Sequence, residues 1–128
     1  MLQSSPAFEK IYKNLNQKQA LAVDSIEGPV MVVAGPGTGK TQILTARIAN
    51  ILLKIQVNPG NILALTFTES GAYEMKKRLI EMIGETAYYV SISTFHSFCS
   101  EIIKANPEEF LIKQNLEPLS DLERIQIF

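Results

Sequence analysis

Apolar residues along this chain fall into two kinds of pattern. Pro29 to Ala34 (PVMVVA) and Ile62 to Phe67 (ILALTF) are continuous apolar runs. The first is bounded by Gly28 and Gly35, the second by the turn cluster Asn58-Pro59-Gly60-Asn61. Short runs of this kind predict strands buried on both faces. Elsewhere the apolar positions recur near helical spacing. Ala20, Leu21 and Val23 do so within 17–24, and Ile43, Leu44, Ile48, Ile51 and Leu52 within 39–53. Ala72, Met75, Leu79, Met82 and Ile83 mark one face of a helix that should end at Gly84, a good residue just past a helix end. Tyr88 to Ser93 predicts a third strand, and Thr94 to Ala105 a helix stopped by Asn106-Pro107. Residues 1–14 read as a polar lead-in. Near the other end, Ser120 and Glu123 have capping-box spacing ahead of Leu122, Ile125 and Ile127.

The predicted order is helix, strand, helix, strand, helix, strand, helix. Doubly apolar strands alternating with helices imply an α/β fold, a parallel sheet covered by helices. Such sheets bind ligands beyond the carboxyl ends of their strands. Three strand-to-helix junctions therefore carry the functional question: 35–40, 66–70 and 93–96.

Composition narrows the classes. With 128 residues, one domain is the ceiling. An apolar fraction of 46% and a charged fraction of 20% exclude disordered and fibrous classes. A net charge of -1 excludes a binder held to nucleic acid by bulk positive charge. The single cysteine, Cys99, rules out an internal disulfide and zinc ribbons, and reads as a small buried hydrophobe. The apolar runs are far shorter than the roughly 20 residues of a membrane span. The start, MLQSSPAFEK, lacks the basic-then-apolar pattern of a signal peptide. A reduced, cytoplasmic, soluble chain is expected, with no membrane partner.

The first junction is Ala34-Gly35-Pro36-Gly37-Thr38-Gly39-Lys40-Thr41. It matches the phosphate-loop pattern except that Ala34 stands at the leading glycine position. Gly35, Gly37 and Gly39 let the backbone curl so that successive N–H groups face phosphate oxygens. The following helix adds its positive N-terminal end. Lys40 supplies a point charge for the β- and γ-phosphates. The Thr41 hydroxyl suits Mg²⁺. This pattern implies a nucleoside triphosphate but not the reaction, because kinases, GTPases, transporters and motors share it.

The flanking segments each admit two readings. In LNQKQALAV, Asn16 and Gln19 can close a capping box, yet a glutamine amide also matches the adjacent donor and acceptor of adenine. In LTFTESGA, Phe67 can be core or a platform for a nucleobase, and Thr66 and Thr68 can cap a helix or meet phosphates. In ISTFHSFC, the only histidine, His96, follows a threonine and an aromatic where a strand becomes a helix.

Taken together and in order, LNQKQALAV, AGPGTGKT, ILALTFTESGAYEMKKRL and ISTFHSFC resemble the Q motif and motifs I, Ia and Ib of superfamily 1 DNA helicases of the UvrD-like (Rep/PcrA) family. The resemblance covers roughly residues 15 to 105. It implies a RecA-like phosphate-loop NTPase fold, specifically the N-terminal portion of the first motor domain. It further implies that residues 15–106 form a partial ATP-binding domain and that residues 107–128 begin an inserted helical subdomain. Gln19 would contact adenine, and residues Ala34, Gly35, Pro36, Gly37, Thr38, Gly39, Lys40, Thr41 and Gln42 would surround the triphosphate. Lys40 and Thr41 would be the catalytic pair, with Thr41 on Mg²⁺. Thr66, Phe67, Thr94 and His96 would meet single-stranded DNA. ATP and Mg²⁺ are the implied cofactors, and 3′-to-5′ translocation the implied activity.

Three departures stand out. Gln42 replaces a frequent arginine, which removes a charge from the nucleotide site. Glu69 and Ser70 replace Asn and Lys of the familiar TFTNKAA, and Glu69 there can favour the N-terminus of the next helix. Glu74–Arg78 and Lys77–Glu81 read as solvated i,i+4 pairs. Hydrolysis also needs an acidic residue at the end of another strand. No acidic residue after Ser93 follows an apolar run, and Arg124 lies in a poor context for an arginine finger. The chain is therefore expected to be a piece of a larger helicase, partnered by its remaining domains and not competent for turnover alone. Its exposed sheet edge predicts self-association. The competing class is a stand-alone nucleotide- or DNA-binding module without turnover. A small phosphate-loop kinase would need an acceptor pocket and an arginine-rich lid, which the sequence lacks.

Overall fold

The computed structural model describes residues 5–110. The expectations at Ser120, Glu123 and Arg124 lie outside the described residues. Two units divide at the Phe95/His96 bond.

The first unit starts with a helix where the sequence suggested only a polar lead-in. Helix α1, Pro6–Lys13, has Pro at its start and Ser5 as its cap, with the Ser5 side chain accepting from the Phe8 N–H. It buries Phe8, with Ile11 and Tyr12 packed against the same core. Phe8, Ile11 and Tyr12 stand at i, i+3 and i+4, a helical stripe that the polar residues around it obscure in the sequence.

Helix α2 is Gln17–Asp24, with the predicted bounds. Helix α3, Lys40–Lys54, buries Ile43, Ala46, Ile48, Ala49 and Leu52. After the 3-10 turn Pro59–Asn61 comes strand β1, Leu63–Thr66. Helix α4, Glu69–Ile83, is capped by Thr68 and stops at Gly84, whose φ of 65° suits glycine. A 3-10 stretch, Gly84–Tyr89, occupies part of the expected third strand, so strand β2 is only Ser91–Thr94.

β1 and β2 are parallel neighbours, in the register Leu63↔Ser91, Ala64↔Ile92, Leu65↔Ser93 and Thr66↔Thr94. The unit is thus α/β, a small two-stranded parallel sheet with helices around it. α3 packs on α2 and α4, and α1 on α3 and α4. Leu79, Met82, Val23 and Val90 are the largest fully buried apolar side chains.

One sequence expectation fails locally. Residues 29–34 form no strand, and Met31 and Val33 are each 88% exposed. A strand needs a lateral partner for its backbone N–H and C=O groups. Among the described residues, the ladders run only between β1 and β2.

The second unit begins within helix α5, Phe95–Ala105, and is described here to residue 110. Asn106 closes the helix, donating its N–H to Ile102 O and Ile103 O and its side-chain amide to Ile102 O. Cys99 is exposed, which corrects its reading as a buried hydrophobe. No helix among the described residues is long and apolar enough to cross a membrane.

Candidate functional site

The glycine-rich loop opens α3. Gly37 and Gly39 have φ of 72° and 77°, a left-handed backbone that side chains disfavour. A Cβ at Gly37 would meet nothing within 4 Å, so conformation rather than space calls for glycine there. Gly39 is the N-cap of α3 and brings no capping side chain, whereas Ser5, Asn16 and Thr68 cap α1, α2 and α4. The first N–H groups of a helix lack intrahelical partners and carry its positive dipole end. An uncapped N-terminus preceded by a left-handed loop is a donor set that fits phosphate oxygens.

Within the loop, Lys40 Nζ donates to Gly35 O at 2.7 Å, and Thr38 Oγ1 donates to the same carbonyl at 2.7 Å. Both bonds tighten the curl. A lysine ammonium has three N–H donors, so this bond uses one of them. Ala34 and Gly39 are half-buried, and Gly35, Pro36, Gly37, Thr38 and Lys40 are exposed. Thr41 and Gln42 are half-buried on the first turn of α3, and a Cβ on Gly39 would lie 3.8 Å from the Gln42 amide oxygen.

Gln19 closes the capping box that the sequence allowed, and its amide also reaches the glycine loop. Its backbone N–H donates to Asn16 Oδ1 at 3.0 Å, and its Oε1 accepts from the Asn16 N–H at 2.9 Å. The capping box is therefore formed. Its Nε2 also donates to Thr38 O at 3.3 Å, which ties the amide to the phosphate-type loop. An amide offers two donors and two lone pairs. These bonds use one of each, and the remaining pair matches what a purine edge presents.

The second cluster sits at the carboxyl ends of β1 and β2. Register pairs Thr66 with Thr94, and an aromatic follows each threonine. Adjacent strands lie about 4.8 Å apart. The rings of Phe67 and Phe95 accordingly have centroids 5.8 Å apart at 57°. Phe67 is 86% exposed, and Phe95 is also exposed. Thr94 is buried, and its Oγ1 donates to Glu69 Oε1 at 3.1 Å. Thr66 is half-buried against the start of α4, where a Cβ on Gly71 would come within 2.9 Å of Thr66 Oγ1. The structure thus brings Thr66, Phe67 and Thr94 together. His96 belongs to the second unit and is exposed on α5. Phe95 is not among the expected site residues, yet it joins this cluster, and the strand-threonine-aromatic pattern at both junctions is the signal for it.

The neighbouring cations differ in use. Arg78 pairs with Glu74 at 3.6 Å on the exposed face of α4. Lys76 Nζ donates inward, to Val90 O at 2.8 Å and Tyr88 O at 3.0 Å, and burial pushes its pKa down. Its charge is committed to holding the segment ahead of β2.

A family model described as the UvrD/REP helicase N-terminal domain matches residues 15–128. The chain is 45% identical over 105 residues to the ATP-dependent DNA helicase PcrA of Staphylococcus epidermidis. It is 41% identical over 105 residues to the ATP-dependent DNA helicase PcrA of Staphylococcus aureus. Each match covers 82% of this chain and 14% of the relative, so the chain spans about one seventh of the length of those proteins.

Proposed function

Because the chain belongs to the UvrD/REP helicase N-terminal domain family, we propose that it is the nucleotide-binding segment of an ATP-dependent DNA helicase. Residues 15–106 are assigned to a partial RecA-like phosphate-loop domain, and 107–128 to the start of an inserted helical subdomain. The whole enzyme would translocate 3′ to 5′ on single-stranded DNA, in the cytoplasm where that substrate lies.

The observation that carries this reading is the junction of Gln19, Thr38 and Lys40. A base-matching amide is hydrogen-bonded to the loop whose glycines are left-handed and whose lysine opens an uncapped helix. In this reading the loop N–H groups and Lys40 hold the β- and γ-phosphates, and Gln19 orients the adenine. Mg²⁺, held by Thr41, would supply charge neutralisation between the phosphates. Gln42 adds a neutral amide beside the phosphates. Hydrolysis requires a further acidic group from another strand, so this segment's own share is binding and positioning.

Phe67 and Phe95 support the second half of the reading. Two exposed aromatic rings at the strand ends offer a sequence-tolerant stacking platform for unpaired bases. Thr66 and His96 would contact the DNA backbone, with Thr94 holding the end of β2 against Glu69. Such a track works without bulk positive charge, in keeping with a net charge of -1. The remaining helicase domains are the natural partners. In their absence the exposed 30–33 segment would pair with a second copy of the chain.

The test is titration of the full chain with a fluorescent ATP analogue in the presence of Mg²⁺. Binding is expected to be weak but saturable, and Lys40→Ala should abolish it. Equal affinity in the variant overturns the assignment of the loop.

A further inference from the structure

The α2 helix is only eight residues long, yet each of its last four carbonyls has a partner. Leu21 O accepts from the Ser25 N–H at 2.9 Å, and Asp24 O from the Ile26 N–H at 2.9 Å. The two between are served from another helix. Ala22 O accepts from Arg47 Nη1 at 2.7 Å, and Val23 O from Asn50 Nδ2 at 3.0 Å. Asn50 is 3% exposed and also reaches Asp24 Oδ1 at 3.2 Å. Asp24 in turn accepts from Lys54 Nζ at 2.9 Å and from the Tyr12 hydroxyl. Arg47, Asn50 and Lys54 all lie on α3, the helix that Lys40 and Thr41 begin.

This arrangement has a consequence for Gln19. A short helix bonded at its C-terminal carbonyls to α3 cannot slide or rotate independently of α3. Its other end carries Gln19, whose amide meets Thr38 just ahead of the same α3. One rigid helix of fifteen residues therefore fixes both the phosphate end and the base-reading amide. We propose that Arg47 and Asn50 are positioning residues that hold Gln19 at the distance from the phosphate loop which an adenine nucleotide requires. They touch the α2 backbone and not the nucleotide, and they act on base selectivity. The inference rests on the reading of Gln19 as the base contact.

The geometry separates this role from general stability. Loosening α2 leaves the glycine loop and Lys40 intact, so phosphate binding should persist. Base discrimination, which depends on the angle and reach of one amide, should not. Arg47→Met keeps the apolar stem and removes the donor, while Arg47→Lys keeps a donor at the same place. Asn50→Leu removes the second donor with the same number of side-chain heavy atoms.

The experiment measures, on the full chain, the affinities of fluorescent ATP and GTP analogues with Mg²⁺ and of inorganic tripolyphosphate. The wild type should prefer ATP, and Gln19→Ala should bring the GTP-to-ATP Kd ratio near one. Arg47→Met should lower that ratio at least threefold with tripolyphosphate affinity unchanged, and Arg47→Lys should restore it. The unchanged tripolyphosphate affinity also certifies that the variant is folded. If Asn50→Leu unfolds, the Arg47 pair alone decides. A wild-type ratio retained in Arg47→Met, when Gln19→Ala has lost it, overturns the positioning role only. A ratio near one in the wild type, or unchanged in Gln19→Ala, overturns the base contact first and the positioning with it.

Discussion

Phe67 and Phe95 are brought ring to ring by strand register: each follows a threonine, and Thr66 pairs with Thr94 across the sheet. Two residues 28 positions apart thereby become one exposed aromatic surface. As a stacking platform for unpaired bases, that surface should lose about 1–3 kcal/mol of binding per ring removed. Phe67→Ala is expected to weaken single-stranded oligonucleotide binding by about 5- to 150-fold in fluorescence anisotropy. Because Phe67 is 86% exposed, its melting temperature should hardly move. Unchanged DNA affinity would remove Phe67 from the track.

The loop glycines differ in what they tolerate. Gly37→Ala and Gly39→Ala force a Cβ onto a left-handed backbone, at a cost of roughly 1–2 kcal/mol each. ATP-analogue affinity should fall in both. Gly35 lacks the positive φ, and a Cβ there would sit 3.8 Å from Thr38 Cγ2, an ordinary contact. Gly35→Ala should accordingly bind within a few-fold of the wild type. Equal losses at all three positions would mean that backbone handedness is not what matters.

The Asp24 network predicts an acid limb in the stability profile. The Tyr12 hydroxyl, then the Lys54 ammonium, hold the Asp24 carboxyl below its usual pKa of 3.8. A depressed folded-state pKa contributes stability above the unfolded value, and that stability is lost as pH falls through the folded value. Tyr12 is shifted the opposite way, above 10.0, chiefly by its hydrogen bond to Asp24. Its contribution is present below the unfolded value and lost as pH rises through the folded one. Asp24→Asn should flatten the denaturation-midpoint profile below about pH 4. An acid limb identical to the wild type would place that dependence elsewhere.

Core and surface leucines should separate cleanly in urea unfolding. Leu79 is fully buried, so Leu79→Ala should destabilise by about 2–5 kcal/mol. Leu21 is 67% exposed despite its place on α2, and Leu21→Ala should change stability by less than about 0.5 kcal/mol. Comparable losses at the two sites would contradict the packing described.

Residues 30–33 present apolar side chains to solvent, with Met31 and Val33 each 88% exposed. Light scattering should detect self-association of the chain that rises with concentration. The double variant Met31→Lys/Val33→Lys should shift it toward monomer, since edge charges oppose strand pairing. A monomeric wild type at high concentration would exclude this segment as a contact.

Local signals made several elements readable in the residues alone. Asn16 and Gln19 bracket the start of α2, and the 72, 75, 79, 82, 83 stripe ending at Gly84 gives α4. The turn at 35–39 was legible because its glycines stand at set spacing just ahead of a helix, and Gly37 and Gly39 are left-handed there. Other features were not legible. Helix α1 is short and mostly polar, and its stripe Phe8, Ile11, Tyr12 spans a single turn, although it faces the core. Tyr88 and Tyr89 end a 3-10 stretch ahead of β2, although the expected strand 88–93 included them. Cys99 is exposed on α5, a helix that buries none of its residues, so residue type alone does not give its burial.

The sequence by itself determined the bounds of α2, the end of α4, the glycine loop and the functional groups that Gln19, Lys40 and Thr41 offer. Those follow from caps, spacing and side-chain functional groups, all of them local. Tertiary structure alone decided that PVMVVA is not a strand, because a strand exists only with a hydrogen-bonded neighbour. It alone set Phe67 beside Phe95, since register joins residues distant in the chain. It also decided that Arg47 and Asn50 complete the end of α2, because the carbonyls they serve lie on another helix.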